Sequence, residues 1–195
     1  MATPIVKPSL AEVQKCIARF SELGRVTTGI PDMLLPEFQR TFLNVLGFSQ
    51  PKGVGKVSPF GDTAVAKITH LKAGMGVSFV AAKPGKGVAM HIHDSVECFL
   101  IIKGKWKIEV ELDKGTDYFT LGPLDFIAVP IGVERRFECI EAAPGEEEGL
   151  QMTIVAGDDP GAIGSPASIR HLLDAGIFTP EQADAVLKNT GTPHW

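Results

Sequence analysis

The stretch Gly85–Gly104, GKGVAMHIHDSVECFLIIKG, carries the pattern that decides the fold. In an extended strand successive side chains alternate between two faces, so His91 and His93 point the same way, with Cα atoms roughly 7 Å apart. The two residues after His93 are turn formers, and a reversal there brings Glu97 on the next strand toward the same point. The stretch therefore predicts two imidazoles and one carboxylate that converge.

Such a set is suited to a divalent metal ion. Two neutral imidazoles and one carboxylate leave several coordination positions open, as Fe(II), Mn, Ni, Co or Zn can use. A structural zinc site would instead fill its coordination shell, usually with thiolates and imidazoles. The three cysteines of the chain are widely spaced and form no C-x-x-C pair. We therefore predict an open metal site on His91, His93 and Glu97.

The segments around this stretch indicate a mainly β fold. From about residue 63 to residue 156, short runs rich in β-branched and aromatic residues are separated by Gly, Pro or Asp. That rhythm is typical of an antiparallel barrel. Strands are predicted at 65–71, 75–82, 88–93, 96–103, 105–112, 117–121, 125–130, 134–140 and 149–156.

Helices are predicted on both sides of the barrel. A capping box at Ser9 and Glu12 begins the first, and a second runs from Pro36 to Gly47 with Phe38, Phe42 and Leu46 on one face. Hydroxyl–proline pairs begin two C-terminal helices, at Ser165-Pro166 and Thr179-Pro180. The chain is thus divided into a helical cover (1–60), a barrel (61–157) and a helical extension (158–195), which form one compact domain.

Composition excludes several classes of partner. The chain has 195 residues, 44% of them hydrophobic, and a net charge of −4. It has no basic cluster to neutralise phosphates, which argues against nucleic acid. No apolar run approaches the ~18 residues of a membrane span, and the start does not resemble a signal peptide. A protein of the cytoplasm that contacts neither membrane nor nucleic acid is expected.

The stretch resembles the first motif of the cupin superfamily. Gly85, His91, His93, Glu97 and Gly104 stand at the spacing G-x5-H-x-H-x3-E-x6-G. The resemblance covers about residues 60 to 156. It implies a single cupin barrel, a double-stranded β-helix or jelly roll, with flanking N- and C-terminal helices.

The second cupin motif resembles Asp125–Gly132, with Leu124 where a glycine usually precedes the aspartate. Many cupins have a histidine three residues after the last glycine as a fourth ligand, and this chain has Arg135 there. A guanidinium cannot ligate a cation. If Arg135 points into the barrel, it could hold a substrate carboxylate or enolate beside the ion. If it points outward, it is a solvated surface arginine.

A finer resemblance suggests an activity. The P-x-G-x-x-R variant, Phe137 and the segment 157–160 resemble bacterial small cupins that include dihydroxyacetophenone-type dioxygenases. This implies a mononuclear non-haem iron dioxygenase for a small anionic aromatic or enolisable keto compound, with Arg135 as a catalytic residue. The cofactor would be one divalent ion, with Fe(II) favoured over Mn, Ni or Zn. The alternatives are a metal-dependent isomerase or lyase, and a non-enzymatic cupin that binds a small ligand.

Further residues complete the predicted site. Phe99 and Trp106 alternate inward and could form an apolar wall for the small-molecule substrate. Gln151 is polar on an otherwise apolar strand and could face either the cavity or water. His70 could supply a fourth ligand, although a core or surface role is favoured. Exposed strand edges predict a homodimer.

Overall fold

The computed structural model describes residues 3–48, 66–157 and 161–188. Short strands dominate, and they are β1 (Thr41–Leu46), β2 (Met75–Ala82), β3 (Lys86–Gly87), β4 (His91–Ile92), β5 (Glu97–Lys103), β6 (Lys105–Leu112), β7 (Gly115–Leu121), β8 (Phe126–Val129), β9 (Arg135–Glu141), β10 (Gly149–Ala156) and β11 (Ile163–Gly164). They form two antiparallel sheets, with orders β1-β2-β10-β5-β8 and β11-β4-β9-β6-β7, while β3 pairs with β9.

The core lies between the two sheets. Phe99 and Val80 from one sheet and Trp106 and Phe137 from the other belong to a single buried apolar cluster. The ring of Phe137 meets those of Phe99 and Trp106 edge to face, at centroid distances of 5.6 and 5.8 Å. Alternation of inward apolar side chains along both sheets makes this cluster possible. The predicted mainly β jelly-roll fold is confirmed.

The N-terminal segment is less helical than predicted. Helix α1 (Leu10–Gln14) begins at the Ser9 capping box, as expected, but it ends within two turns and buries none of its residues. The second predicted helix is wrong, because residues 41–46 form strand β1, paired antiparallel with β2. The spacing of Phe38, Phe42 and Leu46 fits a helical face, but hydrogen bonding to the edge of β2 overrides that local preference.

Other boundaries differ in smaller ways. In the described part of the predicted strand 65–71 we find a single bridge, between Ile68 and Leu46. The predicted strand 88–93 is broken, with β3 before it and β4 within it. The division at residue 60 and residues 158–160 lie outside the described residues.

The C-terminal helices are confirmed. Helix α2 (Pro166–Asp174) begins after Ser165 and helix α3 (Pro180–Leu187) after Thr179, and each hydroxyl accepts a hydrogen bond from a backbone N–H of the first turn. Among the described residues, no helix has the length and apolar character needed to cross a bilayer.

The left-handed backbone positions explain the motif glycines. Gly104 has a φ of +77°, and a Cβ there would lie 2.3 Å from the carbonyl oxygen of Glu141. Leu124, which replaces the usual glycine, also has a positive φ, +72°. A left-handed conformation costs a residue with a Cβ about 1–2 kcal/mol. The departure from the motif therefore leaves local strain at this turn.

Candidate metal centre

The three predicted metal ligands come together. His91 lies in β4, His93 follows it, and Glu97 begins β5. All three are buried, and their ligand atoms lie within 4.8 Å of one another. Oε2 of Glu97 is 3.6 Å from Nε2 of His91 and 3.5 Å from Nε2 of His93. The loop that carries His93 is fixed by a hydrogen bond from the N–H of Gly132 to the His93 carbonyl, 3.0 Å long.

Backbone contacts set the tautomer of both imidazole rings. Nδ1 of His91 lies 2.9 Å from the carbonyl oxygen of Ala89, and Nδ1 of His93 lies 2.6 Å from that of Gly161. A carbonyl only accepts, so each Nδ1 carries the proton and each Nε2 of the neutral ring keeps its lone pair. Nitrogen and carboxylate lone pairs therefore face one another across a gap too long for a hydrogen bond.

A cation bound between these atoms would accept their lone pairs. Neighbouring ligands at 2.0–2.2 Å from one ion lie about 3–3.5 Å apart, close to the two distances observed here. Hydrogen bonds from the second ring nitrogen to a carbonyl are also the usual way to orient a metal-binding imidazole. The donor set, its spacing and its protonation thus fit one divalent ion.

The electrostatics keep the side chains in their ligating forms. Burial lowers the pKa of His91, and the neighbouring Glu97 only partly opposes that shift, so the neutral imidazole is favoured. Burial alone would raise the pKa of Glu97, but attraction to the two histidines in their protonated form outweighs burial and holds that pKa well below its ordinary value, so the carboxylate is already ionised when the rings lose their Nε2 protons. A neutral ring beside an ionised carboxylate is the form that binds a cation.

Arg135 points inward. It is fully buried in β9, opposite His91, and its Nε donates a hydrogen bond of 3.1 Å to Oε2 of Glu97. Nη1 donates to the carbonyl of Val133 at 2.7 Å, while Nη2 has no partner in the described part of the chain. Burial lowers its pKa, and Glu97 opposes the shift. The guanidinium therefore contacts a candidate ligand rather than the wall of the cavity.

A cavity of about 130 Å³ lies beside the three candidate ligands. Strands β1, β2, β9 and β10 and helices α2 and α3 all contribute residues to its lining. Most of its lining is apolar, and four phenylalanines contribute, Phe42, Phe48, Phe137 and Phe178. The polar lining side chains, besides His91, His93 and Glu97, are Asp32, Arg40, Ser78, Thr153 and Ser168.

The three residues predicted to contact substrate lie elsewhere. Phe99 and Trp106 are fully buried in the barrel core, and the indole Nε1 of Trp106 donates to the carbonyl of Lys103 at 3.1 Å. Gln151 is also fully buried, and neither end of its amide has a hydrogen-bond partner among the described residues. None of them lines the cavity. Their contact with substrate stays a prediction, and other aromatic residues form the wall.

Sequence analysis missed a buried ion pair. Arg40 donates from Nη1 and Nη2 to the two carboxylate oxygens of Asp32, at 2.9 and 3.0 Å. Asp32 also accepts from the N–H of Ala89, whose carbonyl bonds Nδ1 of His91. The pair thereby anchors the backbone that orients a candidate ligand. The erroneous helix over residues 36–47 concealed the inward position of Arg40.

His70 does not supply a fourth ligand. Its Nε2 lies 3.4 Å from Sγ of Cys16 in an exposed contact, and it is not among the residues that line the cavity. His70 therefore has a role outside the metal site, as the sequence favoured.

Comparisons with known proteins show the fold. No protein-family model and no curated protein matches the chain. A structure of oxalate oxidase is 12% identical with a TM-score of 0.53, and the match covers 98% of this chain and 89% of that one. Oxalate oxidase with the substrate analogue glycolate gives 12% and 0.53, over 94% and 86%.

A cupin-2 domain protein from Shewanella frigidimarina is 22% identical with a TM-score of 0.34, over 43% of this chain and 72% of that one. At 12% identity, the likeness to oxalate oxidase establishes architecture and leaves the activity open. The two antiparallel sheets and the match to oxalate oxidase agree. The chain therefore has the fold of the cupin superfamily.

Proposed function

We propose that this protein is a metal-dependent cupin enzyme in which His91, His93 and Glu97 hold one divalent ion. The observation that carries the proposal is the meeting of the Glu97 carboxylate and two imidazoles, each with its Nδ1 hydrogen-bonded to a backbone carbonyl, beside an apolar cavity. Fe(II) is the favoured ion, and Mn, Ni or Zn are the alternatives that the same ligands would accept.

The reaction we infer is dioxygenation of a small anionic aromatic or enolisable keto compound. Fe(II), when bound, would supply activation of dioxygen and a Lewis acid for a substrate oxygen. Three protein ligands leave positions open for both. The phenylalanines of the cavity offer flat apolar surface, and Ile169 and Leu172 of α2 help to exclude water from it.

Arg135 acts in this proposal mainly as a positioning residue. Its Nε–H donates a hydrogen bond to Oε2 of Glu97, which orients the carboxylate toward the two imidazoles. A direct grip on substrate, as the sequence suggested, would have to use Nη2, which has no partner in the described residues.

Oxygen uptake tests the reaction. Protein loaded with Fe(II) under anaerobic conditions is mixed with candidate aromatic and keto acids, and oxygen consumption and product are followed together. We expect consumption that is lost in Glu97→Gln and retained in His171→Ala, a matched change on an exposed helix face. Turnover without oxygen consumption, or equal activity with Zn, would instead indicate the isomerase or lyase.

The predicted homodimer and cytoplasmic location stay predictions. Strand β7 lies at a sheet edge, and Tyr118 and Phe119 on it are exposed. Such an edge is suited to pairing with a second chain. Light scattering coupled to gel filtration would give the mass of the particle in solution.

A further inference from the structure

Two buried hydroxyls in the cavity lack hydrogen-bond partners. Ser78 in β2 and Thr153 in β10 are direct cross-strand neighbours, and both line the cavity. Their exposed fractions are 0% and 5%, and neither hydroxyl oxygen has a partner among the described residues. Burying a hydroxyl without a partner costs free energy, so two together indicate a group that is bound there in the working protein.

The pair lies close to the metal centre. Thr153 is opposite Phe99, while Val155, two residues along β10, is opposite Glu97. Thr153 and Glu97 are therefore diagonal neighbours on the inner face, and such positions have Cα atoms roughly 7–8 Å apart. A ligand that spans from the candidate ion to the two hydroxyls would be about one aromatic ring long.

The charges on the wall define the ligand group. Apart from the histidines, Arg40 is the cationic side chain on the described lining, and Asp32 already engages both of its terminal nitrogens. A carboxylate beside Ser78 and Thr153 would find no free cation there and would be poorly compensated. A neutral hydroxyl or carbonyl oxygen, by contrast, can accept from one hydroxyl and, if it is a hydroxyl, donate to the other.

We propose that Ser78 and Thr153 form a recognition pair for a neutral hydroxyl or carbonyl oxygen on a ring-sized ligand. That this ligand is the substrate rests on the proposed function, in which the opposite, anionic end meets the ion. The cavity of about 130 Å³ is similar in size to an engineered apolar cavity of about 150 Å³ that binds benzene. The substrate class is thus narrowed to ring compounds with a neutral oxygen substituent away from the metal-binding group.

Phenol and toluene test the pair, since they differ in a hydroxyl that replaces a methyl group of similar size. Both are titrated into chelator-treated protein by calorimetry, so that no metal contributes. Wild-type protein should bind phenol about 10-fold more tightly than toluene, as one or two buried hydrogen bonds allow. Ser78→Ala/Thr153→Val should bring the two affinities to within about 2-fold of each other.

A conservative variant guards against loss of structure. Thr153→Ser keeps the hydroxyl and should keep most of the preference for phenol, whereas Thr153→Val alone should lose a large part of it. Three outcomes would overturn the proposal: no preference in the wild type, the same preference in the double variant, or tighter binding of benzoate than of phenol. If oxygen uptake fails while the preference for phenol is observed, the proposed reaction is contradicted and the proposal of the recognition pair is not.

Discussion

Two buried arginine–carboxylate pairs lie near the cavity, and they are built differently. Arg40 meets Asp32 through two parallel hydrogen bonds, and Asp32 also accepts from the N–H of Ala89. Arg135 meets Glu97 through Nε alone, and Oε2 of that carboxylate faces two imidazoles without a hydrogen bond. The first carboxylate has its partners within the protein, and the second is short of one.

This difference indicates that Arg40–Asp32 is a structural ion pair, whereas Arg135–Glu97 belongs to a binding site. A buried carboxylate whose acceptor positions are filled stabilises one conformation of the chain. A buried carboxylate that shares its open side with two lone pairs is incomplete until a cation arrives. Backbone carbonyls orient both histidines, and the residue that orients His91, Ala89, donates its N–H to Asp32. The two arginine–carboxylate pairs are therefore linked through the backbone.

The largest expected effect is on the structural pair. Arg40→Met leaves the Asp32 carboxylate buried without its partner, and removal of one member of a buried pair typically costs 3–5 kcal/mol, so a loss of about that size is expected. Urea unfolding measures it, with and without added Fe(II) or Zn. Arg136→Met, which removes a partly exposed arginine (25% exposed) from Glu109, should cost less than about 1 kcal/mol. Equal losses in both variants would contradict the assignment.

Arg135→Met should behave differently from Arg40→Met. In chelator it leaves Glu97 without its cationic partner and should cost about 3 kcal/mol. Added metal should recover more stability in this variant than in wild-type protein, because the bound ion takes over the charge of Glu97. No such excess recovery is expected for Arg40→Met. If metal recovers both variants equally, the two pairs are not distinct in kind.

Acid should weaken the metal-free protein by a smaller amount. Since the fold lowers the pKa of His91, the unfolded chain binds a proton that the folded chain does not, and stability falls as pH falls through the ordinary value of 6.5. Glu97 adds to this below its ordinary value of 4.5. Urea midpoints at about pH 7.5 and about pH 5.5 in chelator measure the loss. A His91→Gln variant with unchanged pH dependence would contradict it.

The smallest effect concerns hydroxyls with and without partners. Ser165→Ala removes the cap of α2, whose oxygen accepts from the N–H of Ser168, and should cost about 1 kcal/mol. Ser78→Ala removes a buried oxygen that bonds nothing among the described residues, so stability should stay within about 0.5 kcal/mol or rise. Thermal unfolding of both variants checks the contrast. A loss at Ser78 as large as at Ser165 would show that its hydroxyl is already satisfied.

The candidate ligands could be predicted because they lie within seven residues. Local alternation and one turn place His91, His93 and Glu97, so no long-range information is needed. Strands β5, β6 and β10 can be predicted for the same reason, since each carries its own alternating pattern. The place of Arg135 in the second motif also marks it as a candidate site residue, although the inward direction of its side chain cannot be derived from the sequence.

The cavity could not be predicted because distant segments build it. Phe42, Ser78, Thr153 and Leu172 lie on β1, β2, β10 and α2, and only the packing of both sheets against the helices brings them together. Their local patterns fit a core equally well. Strand β1 shows the same limit, because the apolar spacing of residues 38–46 fits a helix until the edge of β2 is available.

Metal stoichiometry tests the central claim most directly. Wild-type protein, His91→Ala, Glu97→Gln and the surface control His171→Ala are dialysed against a small excess of Fe(II) without oxygen, or of Zn, and the bound metal is measured by mass spectrometry. The account predicts one ion per chain in the wild type and His171→Ala, and far less than one in the other two. Unchanged metal content in folded His91→Ala and Glu97→Gln would contradict it.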